Sequence, residues 1–249
     1  MNMPRDEVIA FHQYTSSPTW MSALETGFDA SQWPLSWRAI STKQFPGYRQ
    51  VPLPEPLGLD DVSLAESLDR RRSERARTDD PLSLRELATL LIRSTGIRPQ
   101  SDKPPGVSRY YPSAGARFPL EVYVLAPRVQ SLDAGVYHFS VTHNALVAIP
   151  SPDRGQANEI TTALYAWSGG PRAVFVFTAA IDRNMVKYGA RGYRYALIEA
   201  GHASQNLALV ASALGVACCP FGGFSESRLS RMLDLKADQE LPVQTVVLP

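Results

Sequence analysis

The run Ala173-Val-Phe-Val-Phe-Thr-Ala-Ala180 is the most apolar stretch of the chain and constrains the fold more than any other. It has the length of a strand, and its β-branched and aromatic residues leave neither face polar. Such a strand must stand inside a sheet that is covered on both sides. A second segment supplies a covering layer. Tyr193 to Leu214 reads as the longest helix, rich in Ala, Leu and Gly and stopped by Gly215. Small residues allow close approach, at the centre of the molecule or across a subunit interface.

Other elements fall around these two. Ser63-Leu-Ala-Glu66 and Ser83-Leu-Arg-Glu86 are capping boxes, each opening a helix. The first helix ends in Arg70, Arg71 and Arg72. The second carries Leu84, Leu87, Leu90 and Leu91 on one face and stops at Gly96. Leu120 to Leu125 reads as a strand, and Val136 to Val141 with Ala145 to Ile149 as a hairpin across Thr142-His143-Asn144. A helix from about Gln156 to Trp167, closed by Gly169-Gly170, a strand over Val216 to Cys219, a helix over Glu226 to Leu233 and a strand over Val243 to Leu248 complete an α+β pattern. Residues 1–60 hold three of the four tryptophans (Trp20, Trp33, Trp37) and little periodicity. They read as an irregular arm packing on the main body, residues 61–249, or on a second subunit; a peptide-recognition element is the alternative.

Composition excludes several classes. With a formal net charge of +1 the chain is not a nucleic-acid binder held by electrostatics. No apolar run reaches the ~20 residues of a membrane helix, and the N-terminus lacks a secretory core. Cys218 and Cys219 are adjacent, which disfavours a mutual disulfide and makes no closed zinc site. His12, His138 and His143 show no ligand spacing, so no metal is expected. These features suit a reducing cytoplasm.

Two short segments carry chemistry. Arg71-Arg72-Ser73-Glu74-Arg75 puts three guanidinium groups around a hydroxyl at a helix end, an arrangement that holds phosphate. Tyr111-Pro112-Ser113-Ala114-Gly115-Ala116 is a turn of small residues that lets backbone approach a flat ligand. Taken singly, the first also fits a helix-dipole response and the second a plain turn. Lys187-Tyr188 is the sharpest catalytic candidate. Lys187 is one of four lysines and sits between a buried strand and a buried helix, where lost solvation lowers its pKa toward a usable base. The alternative is a solvated loop lysine beside a core aromatic. Glu199, His202 and Asn206 share a helix face, which fits an internal polar network or dimer contact better than a catalytic or metal role.

In this order, "RRSER", "PLSLRELATLL", "YPSAGARFPLEVYV", "GVYHFSVTHNAL", "KYGARGYRYALIEAGHASQNLAL" and "FGGF" resemble the FMN-dependent nitroreductase superfamily, and within it the SagB-type thiazoline/oxazoline dehydrogenases. The resemblance runs from near His12 almost to the C-terminus. It implies a nitroreductase-like fold, with a central mixed or antiparallel sheet flanked by helices, and an intertwined homodimer with FMN at the interface. Arg71, Arg72, Ser73 and Arg75 then grip the phosphate and ribityl chain. Pro112, Ser113, Ala114 and Gly115 of the other subunit lie against the isoalloxazine, and Gly222 and Gly223 pass beside it. Lys187 takes a carbon-bound proton while the flavin takes a hydride, with Tyr188 orienting the ring or relaying the proton.

The function this implies is oxidation of a peptide thiazoline or oxazoline to the thiazole or oxazole. The substrate is a carrier- or leader-bound peptide, and a cyclodehydratase or synthetase is the expected partner. The loop Ile97 to Ser108 is the place to read that peptide. Two other readings stand beside it: a general FMN reductase using NAD(P)H, and a flavin-less scaffold of a peptide-modifying complex. Three positions depart from the family pattern. Arg77 and Arg117 replace an aromatic and an aliphatic residue, and Val247-Leu248-Pro249 lacks the basic residue that often assists the phosphate. Either FMN binds more weakly or Arg77 and Arg117 supply the missing cation.

Overall fold

The computed structural model describes residues 5–16, 34–39, 41–98, 108–150 and 157–249. Trp20, Trp33, Gln156 and residues 99–107 of the loop assigned to peptide reading lie outside them. The apolar run forms β5 (Ala173–Ala180), which pairs antiparallel with β2 (Leu120–Ala126) on one side and β7 (Glu240–Leu248) on the other. With β1 (Gln50–Pro52), β3 (Gly135–Ser140), β4 (Ala145–Ala148) and β6 (Cys219–Phe221) it makes a sheet in the order β1-β4-β3-β2-β5-β7-β6. Every pairing is antiparallel, so the mixed option is set aside.

Alternation along β2 and β5 separates two cores. Val122, Val124, Phe175 and Phe177 face α4 (Leu84–Thr95) and α7 (Arg191–Leu214), meeting Leu87, Leu90, Leu91, Ala200 and Leu207. Tyr123, Leu125, Val174 and Val176 face the other way, onto α8 (Glu226–Met232) and the segment around α5 (Ala157–Leu164). Phe175 and Phe177 are fully buried, each worth about 1.5–3 kcal/mol of transfer free energy.

Both capping boxes are formed. The Ser63 hydroxyl accepts from the Glu66 N–H at the start of α3 (Leu64–Arg70), and Ser83 does the same from Glu86 at α4. Gly96 ends α4 for a reason other than handedness. Its φ is −68°, and a Cβ there would collide with the Ile92 carbonyl one turn back.

The arm is more ordered than its sequence shows. It contributes α1 (Arg5–Tyr14), α2 (Leu35–Arg38) and β1, which extends the sheet beyond β4. Buried polar contacts hold its last part. The Lys43 N–H donates to Glu121, and Lys43 Nζ reaches Tyr123 at 2.7 Å and Glu240 at 2.6 Å. Glu121 also pairs with His138 at 2.7 Å and with Arg183. Burial pushes the Glu121 carboxyl up, but His138 and Arg183 overcome that and hold it at about 2.

Candidate active site

Helix α6 (Asp182–Tyr188) follows β5 directly and was not expected from the sequence. It lies so close to the first turn of α7 that a Cβ on Gly192 would fall 2.8–2.9 Å from Asn184 backbone and side-chain atoms. Gly189, at φ 54° and ψ −146°, breaks the chain between the two helices. Lys187 and Tyr188 thereby occupy the end of α6 and turn inward, at 7% and 8% exposure. The solvated-loop alternative for Lys187 is set aside.

What they face is the small-residue turn. Gly115 stands at φ 59°, and a Cβ there would overlap the Tyr188 hydroxyl and come within 3.0 Å of Lys187 Nζ. Only glycine lets the two segments meet. Gly115→Ala should therefore cost roughly 1–2 kcal/mol from the left-handed backbone alone and displace the Tyr188 ring. A lower melting temperature together with a moved Tyr188 in a crystal structure is the expected outcome; an unmoved ring at unchanged stability contradicts the contact.

Both groups have their charged forms disfavoured. Burial, and then the nearby Arg117 charge, lower the Lys187 pKa, while burial lifts the Tyr188 phenol to about 12. The arm closes over this pair: Lys187 Nζ lies 5.7 Å from the centre of the Trp37 ring, and Trp37 Nε1 donates to the Val186 carbonyl at 3.1 Å. The buried Arg117 fixes the arm there by donating to the carbonyls of Trp37 (2.9 Å), Ala39 (2.6 Å) and Arg183 (2.8 Å). It is an anchor for the arm and not a substitute phosphate ligand. Arg77 is similarly engaged, with Asp79 at 3.2 Å and the Gly169 carbonyl at 3.0 Å. On its outer side the turn lines a cleft of about 650 Å³ with Arg98, Arg109 and Tyr110. That volume suits a small-molecule or peptide side-chain site.

Arg71, Arg72, Ser73 and Arg75 lie elsewhere, in the segment after α3. This segment joins the sheet edge through a hydrogen bond from the Glu74 N–H to the Cys218 carbonyl at 2.9 Å. Among the described residues, none of these three guanidinium groups pairs with a carboxylate. Arg71, Arg72, Ser212, Gly215 and Cys218 line a separate cavity of about 160 Å³ at the C-terminal end of α7. Past β6, Gly222 has open space where a Cβ would project, and a Cβ on Gly223 would fall 3.0 Å from the Phe221 ring. Cys218 and Cys219 are free and buried, and burial lifts the Cys218 thiol to about 12. Among the described residues no cluster of three or more His, Cys, Asp or Glu is placed to hold a metal ion. Nor is any described helix long and apolar enough to cross a membrane.

The turn with Lys187 and Tyr188 and the Arg71–Arg75 segment thus lie toward opposite ends of α7. Glu199 accepts from the Ala114 N–H at 3.1 Å at one end, and Ser212 donates to the Ser67 carbonyl at 2.9 Å at the other. Thirteen helical residues apart, these contacts are separated by about 20 Å along the axis. Glu199 and Asn206, which donates to the Tyr110 carbonyl at 3.0 Å, form the internal polar contacts expected of that face, whereas His202 points to solvent. Asn184 and the roles of Trp37 and Arg117 had no legible signal in the sequence.

The chain matches the Nitroreductase family over residues 68–248. It is 29% identical to a nitroreductase-like protein of Methanocaldococcus jannaschii over 75% of this chain and 90% of that protein. It is 31% identical to the microcin B17-processing protein McbC of Escherichia coli over 62% of this chain, and the match spans 57% of McbC's length. A chain of the E. coli microcin synthetase McbBCD complex, with truncated pro-MccB17 bound, superimposes at a TM-score of 0.59 and 24% identity, covering 97% of this chain and 91% of that one. A nitroreductase-like protein of Exiguobacterium sibiricum in complex with FMN gives a TM-score of 0.51 at 16% identity over 75% of this chain and 87% of its own.

Proposed function

This chain belongs to the Nitroreductase family, and on that premise we propose that it is an FMN-dependent dehydrogenase converting a peptide thiazoline or oxazoline to the thiazole or oxazole. The observation that carries the reading is the buried Lys187–Tyr188 pair seated on the Gly115 turn. Aromatisation of an azoline removes a carbon-bound proton and a hydride, so the site needs a neutral base beside a hydride acceptor. Lys187, stripped of solvent and beside Arg117, holds an unprotonated Nζ more readily than an exposed lysine and takes the proton there. Tyr188 keeps its phenolic proton and orients the ring through an O–H donor.

The residues present fit FMN. Arg71, Arg72, Ser73 and Arg75 would hold its phosphate, Gly222 and Gly223 its edge, and Pro112, Ser113, Ala114 and Gly115 its ring. Three guanidinium groups without carboxylate partners among the described residues, and the open face of Gly222, support that assignment. When bound, FMN supplies the hydride acceptor. Because the phosphate group of residues and the turn lie at opposite ends of α7, a second copy of the chain would bring them together. Apolar residues left exposed on α1, α6 and α7, including Val8, Ile9, Val186, Leu197 and Ile198, support burial against that copy.

Similarity to the microcin-processing protein McbC and to a chain of the McbBCD synthetase complex with a pro-peptide bound supports a peptide substrate and a synthetase partner. A carrier or leader on that peptide, a cyclodehydratase as that partner and a cytoplasmic setting belong to the same proposal. FMN-loaded protein incubated with a thiazoline peptide and that partner should yield a product lighter by two hydrogens. No mass change under those conditions removes the proposal. The archaeal relative, matched over most of its length, favours a second reading as an NAD(P)H-dependent reductase. Rapid bleaching of the flavin by NADPH without peptide would establish it.

A further inference from the structure

Helix α6, which carries Lys187 and Tyr188, has seven residues and no side-chain hydrogen bond capping its N-terminus. A helix that short does not hold itself together and takes its place from what it packs against. Two of its side chains tie it down. The Asn184 amide donates to the Gly192 carbonyl at 3.2 Å and joins it to α7. Arg183 joins it to the segment that leaves the small-residue turn. The Arg183 guanidinium donates to the Phe118 carbonyl at 3.1 Å and to the Glu121 carboxylate, and in return Arg117 Nε donates to the Arg183 carbonyl at 2.8 Å. Glu121 is itself held from two further directions. Its Oε2 meets His138 of β3 at 2.7 Å, and its Oε1 also accepts the Lys43 N–H of the arm at 3.2 Å. Arg183 therefore grips a buried carboxylate that the sheet and the arm already fix in place.

We propose that Arg183 and Glu121 are a positioning pair for the proton step: they fix α6 against residues 117–121 and so set how Lys187 stands on the Gly115 turn. Lys187 follows Arg183 by four residues, one helical turn and about 6 Å along the axis, so a shift at one is passed to the other. There is little slack, because a Cβ on Gly115 would already lie 3.0 Å from Lys187 Nζ. The pair acts through place and not through charge. The cation that bears on Lys187 is Arg117, whereas Arg183 is answered by Glu121. The arm presents the Trp37 ring to Lys187 and α6 presents the Tyr188 ring, both uncharged at neutral pH. The consequence for catalysis rests on the dehydrogenase reading; the seat of α6 does not.

The test compares the full wild-type chain with Arg183→Met, Glu121→Gln and the double variant, without flavin or substrate. The chain has four lysines, so ¹³Cε-lysine NMR can follow Lys187, its signal identified by its loss in Lys187→Ala. Wild-type Lys187 titrates below an ordinary lysine because burial and Arg117 disfavour its ammonium. Loosening α6 returns it to solvent, so its midpoint should rise in Arg183→Met. If the two residues act as a unit, the double variant should titrate where Arg183→Met does. A midpoint at or below wild type in Arg183→Met overturns the proposal, and so does a double variant whose shift is the sum of the single ones. Should Arg183→Met fail to fold because Glu121 is left buried without its cation, the double variant decides alone, and a wild-type midpoint there overturns the proposal. With FMN and a thiazoline peptide, kcat of Arg183→Met should fall on the order of 10²-fold at unchanged FMN affinity. Arg183→Lys, which keeps a cation for Glu121, should regain part of that rate. An unchanged kcat beside a shifted midpoint overturns the bearing on the proton step. Absence of azoline oxidation in wild type removes the dehydrogenase reading and leaves the NMR result standing.

Discussion

Lys187→Ala is expected to keep its flavin and to lose azoline oxidation by roughly 10²–10⁴-fold, the contribution typical of a positioned general base. Lys187 belongs to the turn cluster, about 20 Å along α7 from the Arg71–Arg75 segment, so its removal spares the phosphate contacts. Lys187→Arg should fail almost as badly, because a guanidinium does not deprotonate in this pH range. The wild-type rate should rise with pH as Lys187 loses its proton, and the midpoint should lie below that of an ordinary lysine because burial and Arg117 disfavour the ammonium. Single-turnover flavin reduction by a thiazoline peptide measures this directly. Normal turnover by Lys187→Ala removes Lys187 from the proton step.

Arg72→Ala should fail in the opposite order, shedding cofactor first. A charge-assisted hydrogen bond to phosphate is worth about 1.5–3 kcal/mol, which weakens FMN binding by roughly 10- to 150-fold. Arg72 now donates to the Asp69 carbonyl at 2.9 Å, and it pairs with no carboxylate among the described residues, so it gives up little to meet an anion. At saturating FMN the variant should recover much of its oxidation rate, which Lys187→Ala should not. Fluorescence titration of FMN at two salt concentrations separates the effects, because an exposed guanidinium contact weakens as salt rises. An FMN affinity equal to wild type contradicts the assignment of this segment to the phosphate.

Much of the scaffold was legible because it rests on local rules. β5 announced itself by an apolar run with no polar face, and α3 and α4 by Ser-x-x-Glu boxes that close as read. Gly215 stops α7 in the left-handed conformation that only glycine adopts freely. Two short elements without such a signal were not legible. β1 has three residues including Pro52, and α6 has seven, too few for a period to emerge beside the apolar strand before it.

The site was legible by residue type more than by arrangement. Lys187 could be singled out because lysine is scarce in this chain, yet its place against Gly115 depends on a contact across more than seventy residues. Arg117 looked like a lost aliphatic residue or a spare cation. Its partners, the carbonyls of Trp37, Ala39 and Arg183, are backbone atoms, and backbone acceptors leave no trace in a sequence. Glu199 was visible as a lone carboxyl in an Ala-rich helix, but its partner Ala114 offers only a peptide N–H.

Mixing Arg72→Ala with Lys187→Ala tests the two-copy site most directly. Each variant alone should be nearly inactive at low FMN. If the arginines of one copy and the Lys187 cluster of the other build each site, a mixed pair contains one site with both defects and one intact site. Random exchange should then restore roughly a quarter of wild-type oxidation, since half of the pairs are mixed and each regains one of two sites. No recovery, with mixed pairs demonstrated by native mass spectrometry, would mean that both groups serve the same copy and that the proposed interface site does not exist.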